Sequence, residues 1–220
     1  MATRLYLRNT SNGTSGLPTT KQSAQSTVGN AQATTVNKNL STTIGTSQTS
    51  IGITMNTGYT YVGRWVSDVI GQSSIAANTW TFSFGYDDFW GSTDNGVRIC
   101  IFVWRPTTTT KIGNVCDASV SQAYNSTETG YKLTVTGSAV SSITSGTDVL
   151  CVEFLTQSQF TGGSANFYYD GTTAVATNDT TASSVASYIE TPENVTIGIP
   201  PGINATSTSK VVTNKIITKA

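Results

Sequence analysis

Histidine is absent from the 220 residues of this chain. That removes the commonest general base, the usual activator of a serine or cysteine nucleophile, and the commonest zinc ligand. Charge is scarce too, at 11% of residues, so any acid–base chemistry falls to a few carboxylates. No apolar run approaches a membrane span, and the stretch Met1–Gly16 has neither the apolar segment nor the cleavage site of a secretion signal. The cysteines number three, Cys100, Cys116 and Cys151. An odd count without a signal reads as small buried hydrophobes in a chain folded in a reducing cytoplasm, a Cys100–Cys151 disulfide being the alternative. Glycine-rich phosphate loops, Cys/His clusters and the G-x-S-x-G elbow are all missing.

What fills the sequence instead is hydroxyl. Serine and threonine supply 67 residues, and threonine's branched Cβ suits a pleated, half-exposed strand. The few charges are sorted by position. From Met1 to Ser67 there are five bases (Arg4, Arg8, Lys21, Lys38, Arg64) and no acid. All twelve acids fall between Asp68 and Glu193, with only Arg98, Arg105, Lys111 and Lys132 among them. Lys210, Lys215 and Lys219 follow, again without an acid, so the three blocks sum to +5, −8 and +3. Cationic ends can bind an anionic middle, their own or a neighbour's.

Hydrophobic pattern divides the chain similarly. Residues 1–50 hold one aromatic, Tyr6, and isolated aliphatics with no persistent period. Such a segment cannot offset its ordering entropy alone, so it is expected to lie extended along another surface. From Ile51 the pattern becomes strand-like. Asn78 to Phe84 alternates cleanly, with Trp80, Phe82 and Phe84 inward. Val97–Trp104 and Asp148–Leu155 are apolar on both faces, as central strands covered on the far side by an arm or partner. Further strands are expected at Thr60–Val66, Tyr131–Thr136 and Ala165–Tyr169, with shorter ones at Gly52–Met55, Lys111–Val115, Val185–Ile189 and Val195–Ile199. Eight to ten strands without an amphipathic helix predict an all-β fold, an antiparallel β-sandwich of jelly-roll type. The expected organisation is an N-terminal basic arm (1–50), a sandwich body (51–198) and a C-terminal basic arm (199–220).

Three constellations invite a functional reading. Asp87, Asp88 and Asp94 lie in one dense acidic stretch that offers oxygen ligands for calcium, but their spacing does not fit an EF-hand loop. A long polar connection is the preferred reading there, so no metal and no cofactor is expected. Glu153, on a strand, is one half of the carboxylate pair a glycosidase needs, yet no second acid can be set opposite it. A cross-strand ion pair with Arg98 or Arg105 is the ordinary alternative. Tyr61, Trp65, Trp90, Trp104, Tyr168 and Tyr169 are candidates for a sugar-stacking platform, although alternation sends most of them inward.

Several blocks, taken in order, carry a resemblance. They are Tyr6-Leu7-Arg8-Asn9-Thr10, Tyr61-Val62-Gly63-Arg64-Trp65-Val66-Ser67, Asn78-Thr79-Trp80-Thr81-Phe82 and Cys100-Ile101-Phe102-Val103-Trp104-Arg105-Pro106. Phe167-Tyr168-Tyr169-Asp170-Gly171-Thr172-Thr173 and Ser187-Tyr188-Ile189-Glu190-Thr191-Pro192-Glu193-Asn194 complete the set. Together they resemble virion structural proteins of tailed bacteriophages found in environmental viral sequences, of the jelly-roll capsid decoration or cement type. That resemblance implies a non-enzymatic virion component, made in the host cytoplasm, whose partners are the major capsid protein, other virion subunits or copies of itself. It implies neither nucleic acid nor membrane as a partner. On this reading Arg4, Arg8, Lys21, Lys38, Lys210, Lys215 and Lys219 meet acidic surface, while Leu5, Leu7, Val211, Ile216 and Ile217 anchor the arms. The alternative is a tail, baseplate or fibre component with a glycan-binding sandwich.

Overall fold

The computed structural model describes residues 2–88, 96–121, 124–159, 161–175, 180–181, 183–193 and 195–198. Among these residues there are thirteen strands and no helix. In chain order they are β1 (Arg4–Ser11), β2 (Gly29–Asn30), β3 (Asn37–Ser41), β4 (Thr49–Thr54), β5 (Gly58–Val69), β6 (Thr79–Asp88) and β7 (Gly96–Arg105). Then come β8 (Thr110–Ser121), β9 (Thr129–Thr136), β10 (Val149–Ser158), β11 (Ser164–Tyr169), β12 (Thr180–Thr181) and β13 (Tyr188–Glu190).

The strands stack as a sandwich. One layer runs β8-β7-β10-β5, antiparallel throughout. The other is built on β6, with β9 along one edge and β11 and β13 sharing the other. Strand β4 extends that layer beyond β11. Aromatic side chains fill the gap between the layers, as alternation along β6 and β10 requires. Phe154 lies 4.5 Å from Phe167 and 5.3 Å from Phe84 between ring centres, and Trp65 lies 5.4 Å from Tyr169.

The layers are not separate sheets. Strand β3 pairs parallel with β5, β1 pairs with β3, and β13 joins β1 to β6. Hydrogen bonding thus passes around one side of the sandwich in a continuous mixed sheet. The fold is all-β and sandwich-like, with parallel pairs at β3/β5 and β2/β5 where a purely antiparallel arrangement was expected.

The sheet also begins far earlier than the change of pattern at Ile51. Residues expected to form a separate arm supply the strands that close the sandwich. Leu5 and Leu7 are 0% exposed and Leu40 is 2% exposed, all within the main core. The physical reason is short range. Each of these strands puts only two or three side chains inward, and each is held by strands outside any local window: β1 by β13 and β3, and β3 by β1 and β5. A window scanned for a sustained period has too few apolar positions to register.

Candidate functional site

The outer face of the β5-β10-β7 layer is covered by the chain's own residues between β1 and β3. The cover is apolar at one end. Leu17 packs there with Val66, Cys100, Phe102, Trp104, Val149 and Cys151. Gly16 has φ +74° and lies so near the Pro106 carbonyl that a Cβ would sit 2.2 Å from its oxygen. Only glycine fits, and there the Trp104 indole N–H donates to the Gly16 carbonyl at 2.8 Å.

Beside this patch runs a row of polar groups. Register sets Arg64, Glu153, Cys100 and Asp117 side by side across β5, β10, β7 and β8. Arg64 and Glu153 are both wholly buried and meet at 2.5 Å. The remaining donors of Arg64 go to the carbonyls of Pro18, Thr20 and Thr34 and to Asn37 Oδ1. Glu153 in turn accepts the backbone N–H groups of Gln22 and Ser23 at 2.9–3.0 Å. One buried ion pair therefore holds five points of the covering segment.

A second pair continues the row. Arg98 binds Asp117 at 2.6 Å, and Asp117 accepts the Ser23 hydroxyl and the Ala24 N–H. Lys111 reaches the Gln22 carbonyl at 3.2 Å. Burial alone would push the Asp117 carboxyl up. The Arg98 guanidinium, the Ala24 N–H and the Ser23 hydroxyl outweigh it and hold Asp117 below the usual carboxylate range.

The basic residues expected to reach a partner are engaged at home. Arg4 binds Glu190 at 2.6 Å with its guanidinium over the Tyr188 ring. Arg8 pairs with Asp170 and donates to the carbonyls of Thr43 and Ile44. Lys21 donates to the carbonyls of Ser23 and Gln25. Lys38 points inward to Asn9 and Tyr169. Leu5 and Leu7, offered as anchors for a neighbour, are core residues with no surface left to offer. Lys210, Val211, Lys215, Ile216, Ile217 and Lys219 lie outside the described residues.

The other candidates resolve individually. Glu153 does form a cross-strand ion pair, but its partner is Arg64 on β5. Arg98 is taken by Asp117, and Arg105 by Asp148 through Nε and Nη2, each at 2.8 Å. Asp87 accepts from the Asn166 amide groups and the Tyr168 hydroxyl. Asp88 is buried, and Asp94 lies outside the described residues. No group of three metal-ligating side chains occurs among the described residues. Tyr61, Trp65, Trp104 and Tyr169 are buried, and Tyr168 is half-buried, so none of these forms an open stacking face; Trp90 lies outside the described residues. All three cysteines are free and buried. Burial pushes the Cys116 thiol up to about 12 and those of Cys100 and Cys151 further.

Asp117, Asp148, Asp170 and Glu190 were missed as partners, because ion pairs across 19 to 186 residues leave no local spacing. The inward Lys38 did leave a signal, since it shares the two-residue period of Leu40 in Asn37-Lys38-Asn39-Leu40.

No protein-family profile matches the chain, and no curated protein sequence does. Among solved structures, a CocE/NonD family hydrolase from Staphylococcus aureus aligns over 89% of this chain at 9% identity and a TM-score of 0.45. A structure of the Gx strain of infectious bursal disease virus aligns over 73% of it at 11% identity and a TM-score of 0.29. The chain spans 37% of the length of the first and 43% of the second. Likenesses at these scores say nothing about activity or partners. No helix among the described residues is long and apolar enough to cross a membrane.

Proposed function

We propose that this chain is a non-enzymatic virion structural protein, a capsid decoration or cement protein of a phage head. Its sandwich is a rigid block set on the shell, and its attachment element is the C-terminal segment after Gly198. What supports this reading is the distribution of charge left once the internal pairs are made. Residues 1–198 carry nine bases and twelve acids, a net −3, while residues 199–220 carry three lysines and no acid, a net +3. The five described ion pairs use Arg4, Arg8, Arg64, Arg98 and Arg105, all within residues 1–198. Surplus lysine is therefore concentrated in the tail, and surplus acid in the block. A cationic, partly apolar segment suits an acidic groove on a capsid subunit or on another copy of this chain, its ordering cost falling at assembly.

Gly198 N–H bonds the Val69 carbonyl at 2.9 Å and Ile197 bridges Ile70, so the last described residues lie at the end of β5. The test is a chain ending at Pro201, mixed with purified particles lacking the protein. It is expected to fold with an unchanged melting temperature and to leave the particles undecorated. Full occupancy by the shortened chain would refute attachment through the tail. The described aromatic side chains give no support to the glycan-binding alternative.

A further inference from the structure

Lys38 alone among the described lysines is buried, at 9% exposure on the inward side of β3. Its Nζ donates to Asn9 Oδ1 and to the Tyr169 hydroxyl, each at 2.7 Å. Tyr169 donates to the same Asn9 oxygen at 2.8 Å. Asp170 stands beside them, accepting the Asn9 backbone N–H at 3.0 Å and pairing with Arg8. Strand pairing brings this about. Between Leu7↔Leu40 and Ser11↔Lys38, β1 advances four residues while β3 advances two, and Asn9 sits on the resulting bulge.

The grouping has the parts of an acyl-transfer site. Burial pushes the Lys38 ammonium towards the neutral amine, with the charge of Asp170 only partly opposing it. A desolvated lysine amine is a nucleophile. Since Nζ is 2.7 Å from the carbonyl oxygen, it lies at most about 3.9 Å from the carbonyl carbon, a C=O bond being about 1.23 Å. That is near attack distance. The Tyr169 O–H is aimed at the oxygen on which negative charge would develop.

We propose that Lys38 and Asn9 become joined by an isopeptide bond within the folded chain. Neutral Nζ attacks Asn9 Cγ, and the carbonyl electron pair moves to Oδ1, where the Tyr169 hydroxyl donates. Collapse restores the C=O and breaks the Cγ–Nδ2 bond. The proton lost from Nζ is taken up by the departing nitrogen, which leaves as ammonia. Lysine amine plus side-chain amide gives a secondary amide plus ammonia, with no oxidant, metal or other reactant required. Asn9 lies at the surface, so the ammonia has a direct route to water. The product would tie β1 to β3 covalently at the side where the two layers join.

Intact-mass measurement of the purified full chain, with peptide mapping, tests this. The expected mass is one ammonia below the sequence mass, with one digestion product carrying Asn9 and Lys38 in covalent linkage. Asn9→Ala should restore the full mass, and Tyr169→Phe should slow bond formation at least tenfold in freshly refolded protein. Full mass in the wild-type chain, with Asn9 and Lys38 recovered in separate unmodified peptides, overturns the proposal. So does an ammonia loss that persists in Asn9→Ala.

Discussion

The residue that organises the outer face is Arg64, and its energetics follow from its setting. Removing one partner of a buried ion pair strands the other charge, at a cost of about 3–5 kcal/mol. Arg64→Met is therefore expected to lower unfolding stability by about that amount in denaturant titration. The double variant Arg64→Met/Glu153→Leu should recover only part of it, because the N–H groups of Gln22 and Ser23 lose their acceptor. Full recovery would mean that the pair does not hold the cover. Asp117 adds a pH dependence whose sign is fixed. Folding lowers its pKa, so its contribution is present above the unfolded value of about 3.9. It is lost as pH falls through the lower folded value. Thermal melts between about pH 2 and 7 should show a shallower acid limb in Asp117→Asn than in the wild type. The thiols make a simpler case. With all three buried and shifted upward, native protein should leave a thiol reagent unreacted, and unfolded protein should react at three positions.

At the scale of elements, the central strands were legible and the closing ones were not. Trp80, Phe82 and Phe84 announce β6 by alternation, and the two-faced apolar runs at Val97–Trp104 and Asp148–Leu155 announce strands covered on both sides. The cover for the outer face was expected from an arm or a partner, and it comes from the chain's own first forty residues. Those residues give little local signal because they hold on through a few scattered leucines together with hydrogen bonds and ion pairs. Gln22, Ser23 and Ala24 contribute backbone N–H groups, which any sequence possesses. A chain lacking residues 1–38 is accordingly expected to lose cooperative unfolding, since it exposes the partners of Leu5 and Leu7 and strands Glu153 and Arg64. A sharp calorimetric transition near the wild-type temperature would contradict this.

For the whole molecule, the partition of charge along the sequence becomes a set of closures in space. Bases from the first 67 residues reach Glu153, Asp170 and Glu190, so the cationic start binds this chain's own anionic middle. That leaves the tail as the cationic segment available for assembly in the proposed role. Everything therefore turns on whether residues 4–41 belong to the folded block or to an attachment arm. Amide hydrogen exchange on the isolated full chain decides it most directly. The amides of Leu5, Leu7, Gln22 and Ser23 should show protection within about an order of magnitude of Val152 and Phe154 at the centre of β10, as one cooperative unit requires. Exchange of the N-terminal amides at unfolded-chain rates, beside a protected β10, would contradict it.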